Sequence, residues 1–206
     1  MKETVLVVDD DEGVRYTLTG ILEDDGLRVV GAADGEEALR ELAKTPVDLV
    51  VSDVRMPKMS GIELTQKIRA AQTADAYTYI LVITTLSARE HTLRAFEAGA
   101  DDMLCKPVDA EQIAARLAVG RRFLGAHARR AEEAYLSSLE TMQAELGHEH
   151  SSLAGNLSAL SKLYRGQGAI ARARAFLRRE IDVLIASEGE RHPRVDALRA
   201  ELASMK

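Results

Sequence analysis

A doubly wound parallel α/β sheet followed by an all-α segment is the fold class that this sequence predicts. Three observations predict it. Up to about residue 124, short β-branched runs alternate with amphipathic stretches, five of each. The third run, Val47-Asp48-Leu49-Val50-Val51, is nearly all apolar, as a strand covered on both faces must be. After about residue 125 such runs vanish, and Ala, Leu, Arg and Glu recur at helical spacing between short breaks.

In chain order, the expected strands are Thr4–Val8, Leu27–Val30, Val47–Val51, Tyr79–Thr84 and Met103–Cys105. Helices are expected to begin near Glu12, Asp34, Ser60, Ala88 and Asp109, most of them behind an Asp or Ser suited to an N-cap. The fifth helix has no proline from Gln112 to Leu146, and its Ala126-His127-Ala128-Arg129-Arg130-Ala131 run favours helix. It is therefore expected to continue into the second half. Two domains result, 1–124 and 125–206. Further helices are expected at about 128–146, 151–166, 169–187 and 193–205.

Composition narrows the function. The chain has 206 residues, 46% hydrophobic and 29% charged, which is globular composition. Its net charge of −6 argues against a broad grip on nucleic acid or an anionic membrane. The acidity lies in residues 1–124, with 15 basic and 22 acidic side chains, against 12 and 11 in the remainder. One cysteine, Cys105, excludes a disulfide framework and a multi-cysteine zinc site. The N-terminus lacks a signal-peptide pattern, and no apolar stretch nears the roughly 18 residues needed to cross a bilayer. A cytoplasmic protein is expected.

Carboxylates gather where strands end. Asp9-Asp10-Asp11-Glu12 follows the first strand, and Asp53 ends the Val51-Ser52-Asp53 run. In an open parallel sheet of order 2-1-3-4-5, strands one and three flank the crevice at the carboxyl edge. Asp9, Asp10 and Asp53 then meet. Carboxylates that close need a counter-charge, and a hard divalent cation such as Mg²⁺ suits few carboxylates and several waters. Thr84-Thr85 ends strand four and Lys106-Pro107 ends strand five, adding hydroxyls and an ammonium. This set suits phosphoryl transfer with Asp53 as nucleophile. Taken singly, the acidic run is an N-cap with favourable first-turn charges and Lys106-Pro107 is a turn. Their joint placement at successive strand ends is what carries the reading.

Residues 1–124 resemble the receiver domain of two-component response regulators. The resemblance rests on Val5–Asp11, on Asp53-Val54-Arg55-Met56-Pro57 with Ser60-Gly61, on Thr84, on Ala98-Gly99-Ala100-Asp101-Asp102, and on Lys106-Pro107. It implies a flavodoxin-like fold and phosphorylation of Asp53 by a sensor histidine kinase or phosphotransfer protein. It also implies Mg²⁺ held by Asp10, Asp53 and the backbone carbonyl of Arg55, with Asp9 acting mostly through metal-bound water. Lys106 and Thr84 would contact the phosphoryl oxygens, and Lys106–Pro107 would be cis. Met103 stands where the family has a switching aromatic. Thr85 stands where a small residue is usual, and its bulk would slow access to the phosphoryl group. Arg94, Asp101, Asp102 and Arg116 resemble the charges that pair across the family's dimer face, and imply a homodimer. Cys105 reads as a small core residue.

In the second half, Gly147-x-x-His150 recurs as Gly189-x-x-His192, and Leu139, Leu153 and Leu160 recur as Ile181, Val195 and Leu202 at the same offset of 42 residues. With Asn156-Leu157-x-x-Leu160-x-x-Leu163-Tyr164-x-x-Gln167-Gly168, this region resembles the tetratricopeptide repeats of kinesin light chains. Leu198 and Leu202 are expected to face an absent next helix. Arg172, Arg174, Arg178 and Arg179 read as a solvated face, and His148 and His150 lack a third metal ligand.

The resulting expectation is a phosphoryl-accepting regulator, not a turnover enzyme, whose helical domain binds a protein target and neither nucleic acid nor membrane. A phosphate sink or shuttle without output is the alternative. A DNA-binding transcription regulator is weaker, because the second half lacks a basic recognition helix.

Overall fold

The structure, a computed structural model, describes residues 2–72, 77–85 and 89–205. Five parallel strands form one sheet: β1 (Thr4–Val8), β2 (Arg28–Ala32), β3 (Leu49–Asp53), β4 (Tyr79–Thr84) and β5 (Asp102–Cys105), in the order β2-β1-β3-β4-β5. Between them run α1 (Glu12–Asp24), α2 (Gly35–Lys44), α3 (Gly61–Ala71) and α4 (Arg89–Glu97). The start expected for α4, near Ala88, lies outside the described residues. The chain divides into two compact units, Lys2–Gly125 and Ala126 onward.

Alternation along the central strands builds a core on each face. Val5, Val7, Leu49, Val51, Leu81 and Ile83 pack with Leu18 and Leu22 of α1. Leu6, Val8, Val50, Ile80 and Val82 pack on the other face with Ala38 of α2 and Leu64 and Ile68 of α3. Every residue of β1 is buried. Each such Val or Leu contributes about 1.5–3 kcal/mol by leaving water.

Two strands start later than the apolar runs suggest. Gly26 adopts φ 82, and the Leu27 N–H turns back to the Leu22 carbonyl (3.1 Å), so Leu27 closes α1 and β2 starts at Arg28. At β3 the pairing with β1 begins at Leu49 opposite Val5, and Asp53 still pairs opposite Ile83 of β4. Cys105 also differs from expectation: it is exposed. It ends the edge strand, whose buried residue is Leu104.

A single helix, α5, spans Ala110–Leu146. It is followed by α6 (Leu153–Gly166), α7 (Ile170–Glu188) and α8 (Pro193–Ser204). In the second unit Leu139, Leu153, Leu157, Leu160, Leu177, Leu184 and Val195 share one core. Ser161 donates to the Ala173 carbonyl (3.0 Å), and Tyr164 stacks on Phe176, joining α6 and α7 as a hairpin.

The 42-residue correspondence extends to local geometry. Gly147 and Gly189 both take positive φ, 87 and 91. The Nδ1 atoms of His150 and His192 each accept from the backbone N–H two residues on, both at 3.3 Å. These histidines order turns. Leu198 and Leu202 do not face outward as expected: Leu198 is buried in the core and Leu202 packs against it. The outer side of α8 presents Asp196, Arg199, Ala200 and Ala203 instead.

Candidate functional site

The site lies where β1, β3, β4 and β5 end, because the register brings Val8 opposite Ser52, Ser52 opposite Val82, and Thr84 opposite Cys105. The residues that follow share one edge. Asp9 is 2% exposed, Asp53 is partly buried and Asp10 is exposed. One carboxylate oxygen from each lies within 4.8 Å of the others.

Lys106 crosses this cluster. Its ammonium donates to Asp9 Oδ2 at 2.7 Å and to Asp53 Oδ2 at 3.0 Å. Burial alone would push the ammonium's pKa down; the hydrogen bonds and charges of Asp9 and Asp53 outweigh it and hold the pKa above its ordinary value. Lys106 is fixed from the main chain too: its N–H donates to the Thr84 carbonyl at 2.7 Å, and Lys106–Pro107 is cis.

The remaining valences are directional. Asp9 Oδ1 accepts from the Asp11 N–H (3.0 Å), and the Asp9 carbonyl accepts from Arg15 (2.7 Å). Asp11 caps α1 by accepting from Gly13 and Val14. Asp53 Oδ1 accepts from the Val54 N–H at 2.7 Å. Gly61 lets the loop after β3 fold back on itself, since a Cβ there would lie 2.0 Å from the Asp53 carbonyl oxygen. Thr84 is fully buried at the end of β4. Hard carboxylate oxygens at this spacing, beside an open acid, are the donor set that Mg²⁺ takes, so the residues fit the cation that the resemblance implies.

Thr85 is exposed and accepts a hydrogen bond from the Arg55 guanidinium at 2.7 Å, a contact not foreseen from the sequence. Arg94 lines a cleft of about 700 Å³ with Val54, Met56, Ile62 and Glu63. Met103 is partly buried against the core beneath α2 and α3.

The four charges expected at a dimer face have these surroundings within the chain. Asp101 is held within the chain. Its carboxylate accepts from Arg69 (2.6 Å), from the Tyr77 hydroxyl and from the Ile80 N–H (2.7 Å). Burial, with Asp101 beside it, pushes the Tyr77 hydroxyl up to about 12. Asp102 pairs with Arg116 within the chain, at 3.1 Å. Of the four, Arg94 and Arg116 are exposed, and Arg94 lines the cleft. Arg69 lies 32 residues before Asp101 and carries no motif, so sequence spacing could not reveal that pair.

An acidic pocket with a lysine, at the carboxyl edge of a 2-1-3-4-5 sheet, defines a receiver-type module. The chain belongs to the response regulator receiver domain family, whose model matches residues 5–118. It is 40% identical over 117 residues to the response regulator MprA of Mycolicibacterium vanbaalenii, covering 57% of this chain and 49% of that protein. It is 37% identical over 117 residues to the alkaline phosphatase synthesis transcriptional regulatory protein PhoP of Bacillus subtilis, covering 57% and 48%. The chain thus spans about half the length of the curated relatives it matches. The chemotaxis protein CheY4 of Vibrio cholerae is similar in structure, with a TM-score of 0.54 and 35% identity over 57% of this chain and 97% of that one. A probable response regulator/GGDEF domain protein gives a TM-score of 0.57 at 30% identity, covering 60% and 50%. Among the described residues, no helix is long and apolar enough to cross a membrane.

Proposed function

We propose that this protein is a phosphoryl-accepting regulator of a two-component system, modified at Asp53, with a protein-binding helical output. The observation that carries this reading is Lys106 bridging Asp9 and Asp53 inside a three-carboxylate pocket. The Asp53 carboxylate would attack phosphorus, forming an acyl phosphate P–O bond as the P–N bond to a histidine of the sensor kinase or phosphotransfer protein breaks. The electron pair leaves with the imidazole nitrogen. Asp10, Asp53 and the Arg55 carbonyl would hold Mg²⁺, with Asp9 behind them. When bound, Mg²⁺ supplies positive charge for the phosphoryl oxygens. Lys106 would exchange its Asp53 contact for a phosphoryl oxygen, and Thr84 would donate to another.

The helical unit would serve as the output, through tetratricopeptide-like packing of the kinesin-light-chain kind. The repeated Gly–His turn geometry supports that relation. A homodimer would use the face carrying Leu93, Phe96 and Val119, which are exposed. Its charged contribution would come from Arg94, Asp101, Asp102 and Arg116, of which Asp102 and Arg116 already pair within the chain. A transcriptional output, as the name of PhoP has it, here through DNA binding, fits less well. Arg174 of the basic run on α7 donates to the Met205 carbonyl, and Arg172 lies over the Tyr164 ring.

Two assays test the proposal. Acetyl phosphate with Mg²⁺ should give one retarded band on a phosphate-affinity gel, absent with a chelator and in Asp53→Asn. A pull-down with beryllofluoride should capture protein that Asp53→Ala does not. Capture of duplex DNA with strong salt dependence would instead favour the transcriptional reading.

A further inference from the structure

The loop between β3 and α3 carries the Arg55 carbonyl at one end of its outer limb and Lys58 at the other. We propose that Lys58 and Asp34 form a latch that holds this limb, and with it the Arg55 carbonyl, in the geometry that binds Mg²⁺. Both are then positioning residues for the phosphoryl-transfer site. The inference rests on the function proposed above.

The limb is tightly turned. The Met59 N–H donates to the Pro57 carbonyl at 2.7 Å, and Lys58 between them has φ 64. Left-handed backbone suits glycine, and a side chain there is a strain that the surroundings must offset. Lysine at this position is accounted for by what its ammonium does: Nζ lies 2.5 Å from Asp34 Oδ2.

Asp34 is a fixed anchor. Its side chain is 8% exposed. It uses Oδ1 to cap α2 at the Glu37 N–H (2.9 Å), while the Glu37 carboxylate returns to the Ala33 N–H (2.8 Å). That leaves Oδ2 for Lys58. The Lys58 hydrogen bond, first, and the Glu37 N–H hold the Asp34 carboxyl below its ordinary pKa, so the pair is charged at neutral pH. Next to it, the Met59 side chain packs onto Gly35. A Cβ on Gly35 would lie 2.8 Å from Met59 Cγ and Sδ.

The other flank of the limb is tied by Arg55 to Thr85 (2.7 Å). The limb is therefore held from α2 on one side and from the end of β4 on the other. Releasing one tie lets the carbonyl between them drift. An ammonium as exposed as that of Lys58 makes an ion pair that adds little to global stability, so the effect belongs to the site.

Three variants test this. Lys58→Gly keeps the left-handed backbone and removes the ammonium. Asp34→Asn keeps a capping side chain and removes the charge. Lys58→Arg keeps the cation. Mg²⁺ binding to the full chain is measured by calorimetry, with no phosphoryl donor, beside thermal unfolding in a chelator. Outer-shell changes at metal sites typically cost 10–100-fold in affinity; acting through a backbone carbonyl, these should cost roughly three- to tenfold. The latch predicts that loss in Lys58→Gly and in Asp34→Asn, no further loss when the two are combined, near-wild-type binding in Lys58→Arg, and little change in Tm. Wild-type Mg²⁺ affinity in both single variants, or losses that simply add, would overturn the latch while leaving the site reading intact. An affinity loss matched by a large fall in Tm, not rescued by arginine, would also overturn it. Absence of Mg²⁺ binding in the wild type would instead count against the proposed function.

Discussion

The Lys106 ammonium lies 3.0 Å from the Asp53 carboxylate and 2.7 Å from that of Asp9. One cation thus serves two acids that the fold brings from different strands. Removing it leaves buried negative charge uncompensated. Breaking a buried pair costs 3–5 kcal/mol, and partial solvent access at Lys106 reduces this to about 2 kcal/mol.

Lys106→Met is therefore expected to destabilise the protein by about 2 kcal/mol in a chelator, with part of the loss restored by Mg²⁺. Urea unfolding with and without the cation checks this. The pKa of Lys106 is raised on folding, so the wild-type contribution is present below the unfolded value of about 10.4. It is lost as pH rises through the folded value. Lys106→Met should lack that alkaline loss.

Gly61→Ala should fail at the site. Its Cβ would lie 2.0 Å from the Asp53 carbonyl oxygen, which is backbone and cannot swing aside. A loss of about 3 kcal/mol is expected, with Mg²⁺ binding weakened in whatever fraction folds. Thermal unfolding and calorimetry report the two effects separately.

Thr85→Ala removes the acceptor of the Arg55 guanidinium and the methyl group beside the site. An exposed hydrogen bond is worth about 0.5–1 kcal/mol, so loss of the phosphoryl group should speed up roughly two- to fivefold. Decay of phosphorylated protein after the donor is removed measures it. A rate equal to the wild type would remove the idea that this strap shields the acyl phosphate.

Glu180 in α7 is fully buried. Oε1 accepts from Arg194 at 2.7 Å, and Oε2 has no well-formed hydrogen bond among the described residues. Burial raises its pKa above the ordinary 4.5, against the opposing Arg194 charge and the Ser158 hydroxyl. The folded state then binds more protons than the unfolded one above pH 4.5, and stability falls as pH rises through the folded value. Glu180→Gln should flatten that fall and stabilise the protein by about 1 kcal/mol at neutral pH. Thermal unfolding from mildly acidic to neutral pH decides, and an unchanged pH slope would contradict it.

Much of this molecule could be read from the chain. Local signals, such as the apolar runs of β1 and β4 and the acids and lysine closing successive strands, point to the sheet and its pocket because they depend on near neighbours and strand period. What escaped depends on distant partners. Asp101 meets Arg69 only after α3 and β5 pack, and Lys58 meets Asp34 across two loops. Cys105 is exposed at the end of the edge strand, and a small apolar residue there does not itself reveal which face it takes. Leu198 and Leu202 turn inward because α8 closes the helical core.

The central claim is that Asp53 alone accepts a phosphoryl group. Borohydride cleaves an acyl phosphate to the alcohol, so it marks the phosphorylated acid covalently. The protein is incubated with acetyl phosphate and Mg²⁺, reduced, digested and sequenced by mass spectrometry. The account predicts homoserine at position 53, at no other acid, and only when Mg²⁺ is present. An unmodified Asp53, or equal conversion without Mg²⁺ or at Asp9 or Asp10, would contradict it.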